Sequence, residues 1–135
     1  MRDRAKSLKR ILEVQQHLRS LEELKFARLK QQIMQCQSEQ QALTDALSSE
    51  GALYSLFMDT TVRRIKSLRE EENRLVPQIE AQGRVIVEHN ARMRNSERLA
   101  EELAVELRRE EERKELEQLL EAGFARHAVS SEQDQ

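Results

Sequence analysis

Apolar residues recur at alternating intervals of three and four over most of the second half of the chain. The positions in this pattern are Ile65, Leu68, Glu72, Leu75, Ile79, Gln82, Ile86, His89, Met93, Ser96, Ala100, Leu103 and Leu107. Most of them are apolar, and a stripe sustained over about six heptads indicates a helix that pairs with another helix in a coiled coil. We therefore predict a helix over about residues 60–123, with Gly123 at its C-terminal end.

Pro77 lies inside this predicted helix. A proline costs about 3 kcal/mol in a helix interior, because its ring blocks one backbone hydrogen bond. The apolar pattern nevertheless stays in phase from Leu75 through Ile79 to Ile86. We therefore expect a kink near Pro77 and not a break.

The first third of the chain has two shorter apolar stripes. The first contains Ile11, Val14, Leu18 and Leu21, and the second contains Phe26, Leu29, Ile33, Cys36, Leu43 and Leu47, with Gln40 at the missing position. The spacing of eleven between Leu18 and Leu29 is what a four-residue stutter produces in a heptad pattern. This pattern predicts a first helix over about residues 3–49 that contains a stutter.

A reversal is expected between the two helices, over about residues 50–59, where Gly51 suits a helix end and Asp59 suits the next N-cap. The predicted fold is all-α: a long antiparallel two-helix coiled-coil hairpin, as a single domain over residues 1–124, with a disordered tail over 125–135. The second helix is the longer one. Its highly charged end, residues 108–123, extends past the first helix and contains an apolar patch at Leu116, Leu119 and Leu120.

Composition favours this reading over a compact enzyme. Charged residues make up 36% of the 135 residues, and only three glycines and one proline are present, which is typical of long helices. The net charge of −2 argues against a nucleic-acid-binding protein of the usual basic kind. A single cysteine fits a reducing compartment. With no signal peptide or transmembrane segment in the sequence, we predict a cytoplasmic protein that is at most peripheral to a membrane.

No combination of residues predicts catalysis. Cys36 and His89 lie on different apolar stripes, and the hairpin places Cys36 opposite about residue 72 and His89 opposite about residue 19, so they cannot act together. His17 and His127 are isolated, and the chain has no metal-binding spacing and no phosphate loop. We therefore expect no enzymatic activity, no cofactor and no metal.

The predicted turn is unusually apolar. Leu53, Tyr54 and Phe57 concentrate there, where a loop is normally polar. They either seal the end of the hairpin or form an exposed docking site for a partner, and the sequence leaves both interpretations open.

Several features together resemble the FliJ family of flagellar export proteins and the similar YscO proteins of virulence secretion. They are the basic first helix, the reversal near the first third, the step from Ile79 to Gln82, and the charged end with Leu116, Leu119 and Leu120. The resemblance implies a cytoplasmic coiled coil that looks like the stalk of a rotary ATPase. Such a protein couples an export ATPase to the membrane export gate and helps to handle substrate chaperones.

By the same resemblance, the gate-contacting surface would lie around Leu75, Ile79 and Gln82, with Leu47 and Tyr54 on the side of the first helix. Pro77 departs from the family pattern inside this surface. The alternative function is a homodimeric coiled-coil spacer or cell-division scaffold with no export role. The uneven distribution of basic residues and the apolar turn favour the export hypothesis and a monomeric hairpin, whereas the choice between a flagellar and a virulence system stays open.

Overall fold

The computed structural model contains two helices, α1 (Arg2–Ser48) and α2 (Tyr54–Gln133). It describes residues 2–48 and 54–133, and the side chains of residues 2–48 and 57–131. Every described residue is helical, without a strand, and the two helices pack against each other. The predicted all-α, two-helix hairpin is therefore confirmed.

The chain contains two compact units, and each unit includes a segment of both helices. One unit comprises Met1–Val14 and Met93–Gln135, and the other comprises Gln15–Arg92. In the second unit the helices run antiparallel, because Glu22 contacts Gln82 near one end and Glu39 contacts Arg64 near the other.

The heptad pattern of α2 correctly predicted its buried side. The buried residues of α2 are Ile65, Leu68, Leu75, Met93 and Leu103, and all of them belong to the predicted stripe. Leu68 is the most buried, with only 2% of its surface exposed. Polar members of the stripe, such as Gln82 and His89, are half-buried. The helix therefore buries a narrow stripe, as a coiled-coil pattern requires.

The side of α1 that was predicted to be buried is wrong for the first part of this helix. Its stripe of Ile11, Val14, Leu18 and Leu21 is exposed, with between 45% and 56% of each residue accessible. The buried or half-buried positions of α1 are instead Ala5, Leu8, Leu12, Gln15, Glu22, Phe26, Leu29, Ile33, Cys36, Gln40, Leu43 and Leu47. This set keeps the same alternation of three and four throughout, with the exposed Arg19 at one position, so α1 contains no stutter.

The physical reason for this difference lies in α2. Its heptad pattern continues through residues 65–107 without a stutter, so a helix that packs along it must also keep a constant phase. Polar residues at the α1 interface are tolerated because α2 offers them hydrogen-bond partners, such as Gln82 for Glu22.

The helix ends also differ from those expected. Helix α2 begins at Tyr54, so residues 54–59, expected in the turn, are helical, whereas Leu53 lies outside the described residues. The helix continues through Pro77 and through Gly123 to Gln133, so the expected tail is helical over residues 125–133. Pro77 is on the exposed side of the helix. Gly123 costs only about 1 kcal/mol, and no proline follows it to end the helix.

Candidate protein-binding surfaces

Leu75, the first residue of the expected gate-contacting surface, belongs to the interior of the hairpin. It is 8% exposed and forms a cluster with Cys36 and Leu68. Partly buried Leu29, Ile33 and Leu43 of α1 pack against this cluster. The side chain of Leu75 is therefore used to hold the two helices together, so it is not presented to a partner.

Gln82, another residue of that expected surface, is also engaged within the hairpin. Its amide nitrogen donates to the backbone carbonyl of Glu22 at 2.9 Å and to the Glu22 carboxylate. The hydrogen bond from Gln82 lowers the pKa of Glu22, and the nearby Lys25 acts in the same direction. Ile79 is half-buried between these contacts. A partner that binds around Leu75, Ile79 and Gln82 could contact only the edge of this surface, because α1 covers its centre.

Next to Gln82 the interface is polar. His89 Nε2 donates to the backbone carbonyl of Gln15 at 2.7 Å, about one helical turn from the predicted position near residue 19. The side-chain oxygens of Gln15 and Asn90 are buried, and neither has a hydrogen-bond partner among the described residues. The hydrogen bond of His89 favours one register of the two helices, because shifting the helices breaks it.

Cys36 lies opposite Glu72, as the sequence predicted. Glu72 accepts hydrogen bonds from Gln37 at 3.0 Å and from Gln40 at 2.8 Å, and these bonds lower its pKa. The pKa of Cys36 is raised, first because the thiol is buried and then because Glu71 and Glu72 are close. The thiol is therefore protonated at neutral pH, and its role in the described structure is packing.

The apolar residues near the turn are only partly described. Phe57 is 59% exposed and Met58 is 43% exposed, both in the first turns of α2. Leu47 at the end of α1 is half-buried. Tyr54 begins α2, whereas Leu53 lies outside the described residues. The exposure of Phe57 favours the docking interpretation over the seal, because a sealing side chain would be covered.

The C-terminal part of α2 extends past the beginning of α1. Arg2, the first residue of α1, pairs with Glu111 at 3.8 Å. Every described side chain of α2 beyond Glu111 is exposed. The predicted patch is exposed there, with Leu116 at 58%, Leu119 at 69% and Leu120 at 53%. We refer to α2 residues 112–133 as the C-terminal extension.

Two apolar features were not predicted from the sequence. Phe124, which follows Leu120 by one turn and is 73% exposed, enlarges the patch of the C-terminal extension. A groove of about 400 Å³ also lies between the two helices of the first unit, and its walls include Ile11 and Leu99. Leu99 is an apolar residue outside the α2 heptad stripe, and this position was the signal that could have identified the groove.

Comparison with known proteins gives no assignment: the chain matches no family model, and no curated protein or solved structure resembles it significantly. Within residues 2–48 and 54–133, neither helix has a segment with the length and apolar character needed to cross a membrane. The same residues contain no cluster of histidine, cysteine and acidic side chains suited to a metal ion. The arrangement offers exposed helical surfaces, which are suited to binding other helices.

Proposed function

We propose that this protein is a cytoplasmic component of type III protein export. In this role the hairpin is a stalk that couples the export ATPase to the export gate and escorts substrate chaperones. The main support is the C-terminal extension, a single helix with an exposed apolar patch at Leu116, Leu119 and Leu120. A helix of this kind suits insertion into a ring of ATPase subunits, because the ring can cover the side that α1 leaves exposed.

Phe57 and Met58 support a second binding surface at the opposite end of α2. Both are exposed, although a single hairpin has no need of exposed apolar residues in this place. We assign this end to the gate or to the chaperones, with Leu47 and Tyr54 as neighbouring residues. Separate surfaces for two partners are what a coupling protein needs.

The proposal is tested with two altered proteins. A chain truncated after Leu107 should retain the hairpin core but lose binding to the purified export ATPase. The variant Tyr54→Ser with Phe57→Ser should bind the ATPase normally but bind the gate protein and the chaperones less well. Val129→Ser is a control for the patch, since Val129 is exposed but lies outside it.

Circular dichroism melting shows whether each variant still folds. Unchanged binding of the ATPase, gate and chaperones by both altered proteins would reject the export proposal. The homodimeric spacer or cell-division scaffold would then be the better hypothesis.

A further inference from the structure

A second stripe of exposed residues follows α2 beside its buried stripe. Its members alternate at intervals of three and four, and they are Leu99, Glu102, Glu106, Arg109, Arg113, Leu116 and Leu120. All of them belong to the unit formed by Met1–Val14 and Met93–Gln135, and all are exposed. Read along the helix, the stripe has an apolar residue, two acids, two bases and two apolar residues. We call it the charge stripe.

The four charges of this stripe are not paired with any described residue. Neighbouring Glu110 and Glu111 form ion pairs with Lys114 and Arg2. In contrast, none of Glu102, Glu106, Arg109 and Arg113 forms an ion pair with another described residue. Glu102 and Glu106 are like charges one turn apart, and so are Arg109 and Arg113, which is unfavourable in an isolated helix, whereas Glu106 and Arg109 are opposite charges. An external set of opposite charges would remove this repulsion.

The acidic half of the charge stripe borders the groove between the two helices. The groove is lined by the apolar residues Leu8, Ile11, Leu99 and Leu103, by Glu102 and Glu106 on its α2 side, and by Arg4 and Ser7 on its α1 side. The groove therefore offers apolar contacts beside two carboxylates. A helix that fits this groove needs a leucine next to basic residues. Arg109, Arg113 and Leu116 of the charge stripe form such a sequence.

We propose that the charge stripe binds the charge stripe of a second copy of this chain, with the two α2 helices antiparallel. In this register Glu102 faces Arg113 of the second copy, and Glu106 faces Arg109. Leu116 of the second copy then packs against Leu99 and the adjacent Ile11. Each ion pair occurs twice because of the two-fold symmetry.

A parallel dimer with two-fold symmetry, in which the two helices are in register, does not fit the same residues. It would place Glu102 opposite Glu102 and Arg113 opposite Arg113, and like charges repel. The antiparallel overlap from Leu99 to Leu116 covers about 27 Å of helix, at a rise of about 1.5 Å per residue. The charge order along the stripe thus selects both the partner and its direction.

This inference goes beyond the export proposal and does not rest on it. The dimer covers Leu116, which belongs to the patch assigned above to the ATPase. A chain bound to its second copy would therefore be unable to present the whole of that patch. Self-association would therefore compete with binding to the ATPase.

Sedimentation equilibrium at low ionic strength tests the proposal on the full chain. The wild-type protein should approach about twice its mass of 15.9 kDa as its concentration is raised. The variant E102R/E106R has only basic charges in the stripe, and R109E/R113E has only acidic ones. Each variant alone should dimerise at least about tenfold more weakly, because four ion pairs become four repulsive contacts.

Mixing the two variants supplies the decisive measurement. An equimolar mixture should dimerise again, because every basic position of one chain faces an acidic position of the other. The control variant E101R/E115R changes the net charge by the same amount on exposed positions outside the stripe, and it should dimerise like the wild type. Circular dichroism confirms that each variant is helical.

Cysteine cross-linking tests the direction in a background where Cys36 is changed to Ser. A mixture of L99C and L116C chains should form a disulfide-linked dimer. L116C alone should not, because its two cysteines would be about 25 Å apart in the antiparallel dimer. Cross-linking of L116C alone would overturn the antiparallel arrangement.

A wild-type chain that stays monomeric at all concentrations would overturn the proposal. So would variants that dimerise as strongly as the wild type. If the chain is monomeric but E102R/E106R changes binding to the export ATPase, the charge stripe serves that partner and does not serve a second copy.

Discussion

Replacing Leu68 by alanine is the most direct test of the helix interface. Leu68 is 2% exposed, and it packs in the cluster with Cys36 and Leu75. Removing a fully buried leucine side chain loses its transfer free energy and leaves a cavity, which together cost about 3 kcal/mol. The matched control is Leu18→Ala, the same chemical change at a position that is 45% exposed. It should alter the free energy of unfolding by less than about 0.5 kcal/mol.

These free energies translate into a clear difference in melting. With an unfolding entropy of about 2.1 cal/mol/K per residue over 135 residues, a loss of 3 kcal/mol lowers Tm by about 10 °C if the chain unfolds in one step. Urea unfolding and thermal melting, both followed by circular dichroism at 222 nm, measure the two variants. If Leu18→Ala proved as destabilising as Leu68→Ala, the interface of α1 would follow the stripe of Ile11, Val14, Leu18 and Leu21, and the packing described here would be refuted.

Two further predictions concern the interior of the hairpin. The folded pKa of Glu72 lies below its usual value of 4.5, because Gln37 and Gln40 donate to its carboxylate. Its contribution to stability is therefore fully present above about pH 4.5 and decreases as the pH falls through the folded pKa. Glu72→Gln should flatten the acid limb of a stability profile measured by urea unfolding, and an unchanged limb would contradict the assignment. Gly83→Ala should raise the free energy of unfolding by about 0.5 to 1 kcal/mol, because alanine is the better helix former. The added Cβ would lie 3.7 Å from Phe26, which is an ordinary contact. A loss of stability in the same assay would show that the two helices are too close there for a methyl group.

The sequence by itself determined that the chain forms two long helices and which side of α2 is buried. The alternation of three and four from Ile65 to Leu107 has a single phase, so only one side of α2 can bury apolar residues continuously. The exposed patch at Leu116 and Leu120 was also predictable. It lies after Leu107, where the heptad stripe of α2 ends.

The sequence alone did not determine which side of α1 is buried. Residues 8–22 contain two stripes with the same spacing, and the stripe that includes Ile11 and Leu18 is the more apolar one. Burial follows the other stripe, because only that stripe stays in phase with Phe26 and with the uninterrupted heptads of α2. The helix ends were likewise misplaced, since Gly123 weakens a helix without ending it.

The polar contacts across the hairpin were also decided only by tertiary structure. Gln82 bonds to Glu22, and His89 bonds to the carbonyl of Gln15, although these residues are far apart in the sequence. Pairing of this kind depends on the register of two helices, and a polar residue in a heptad pattern does not specify its partner. The tertiary structure therefore decided which residues are engaged within the hairpin and which apolar residues of α1 and α2 remain exposed to other molecules.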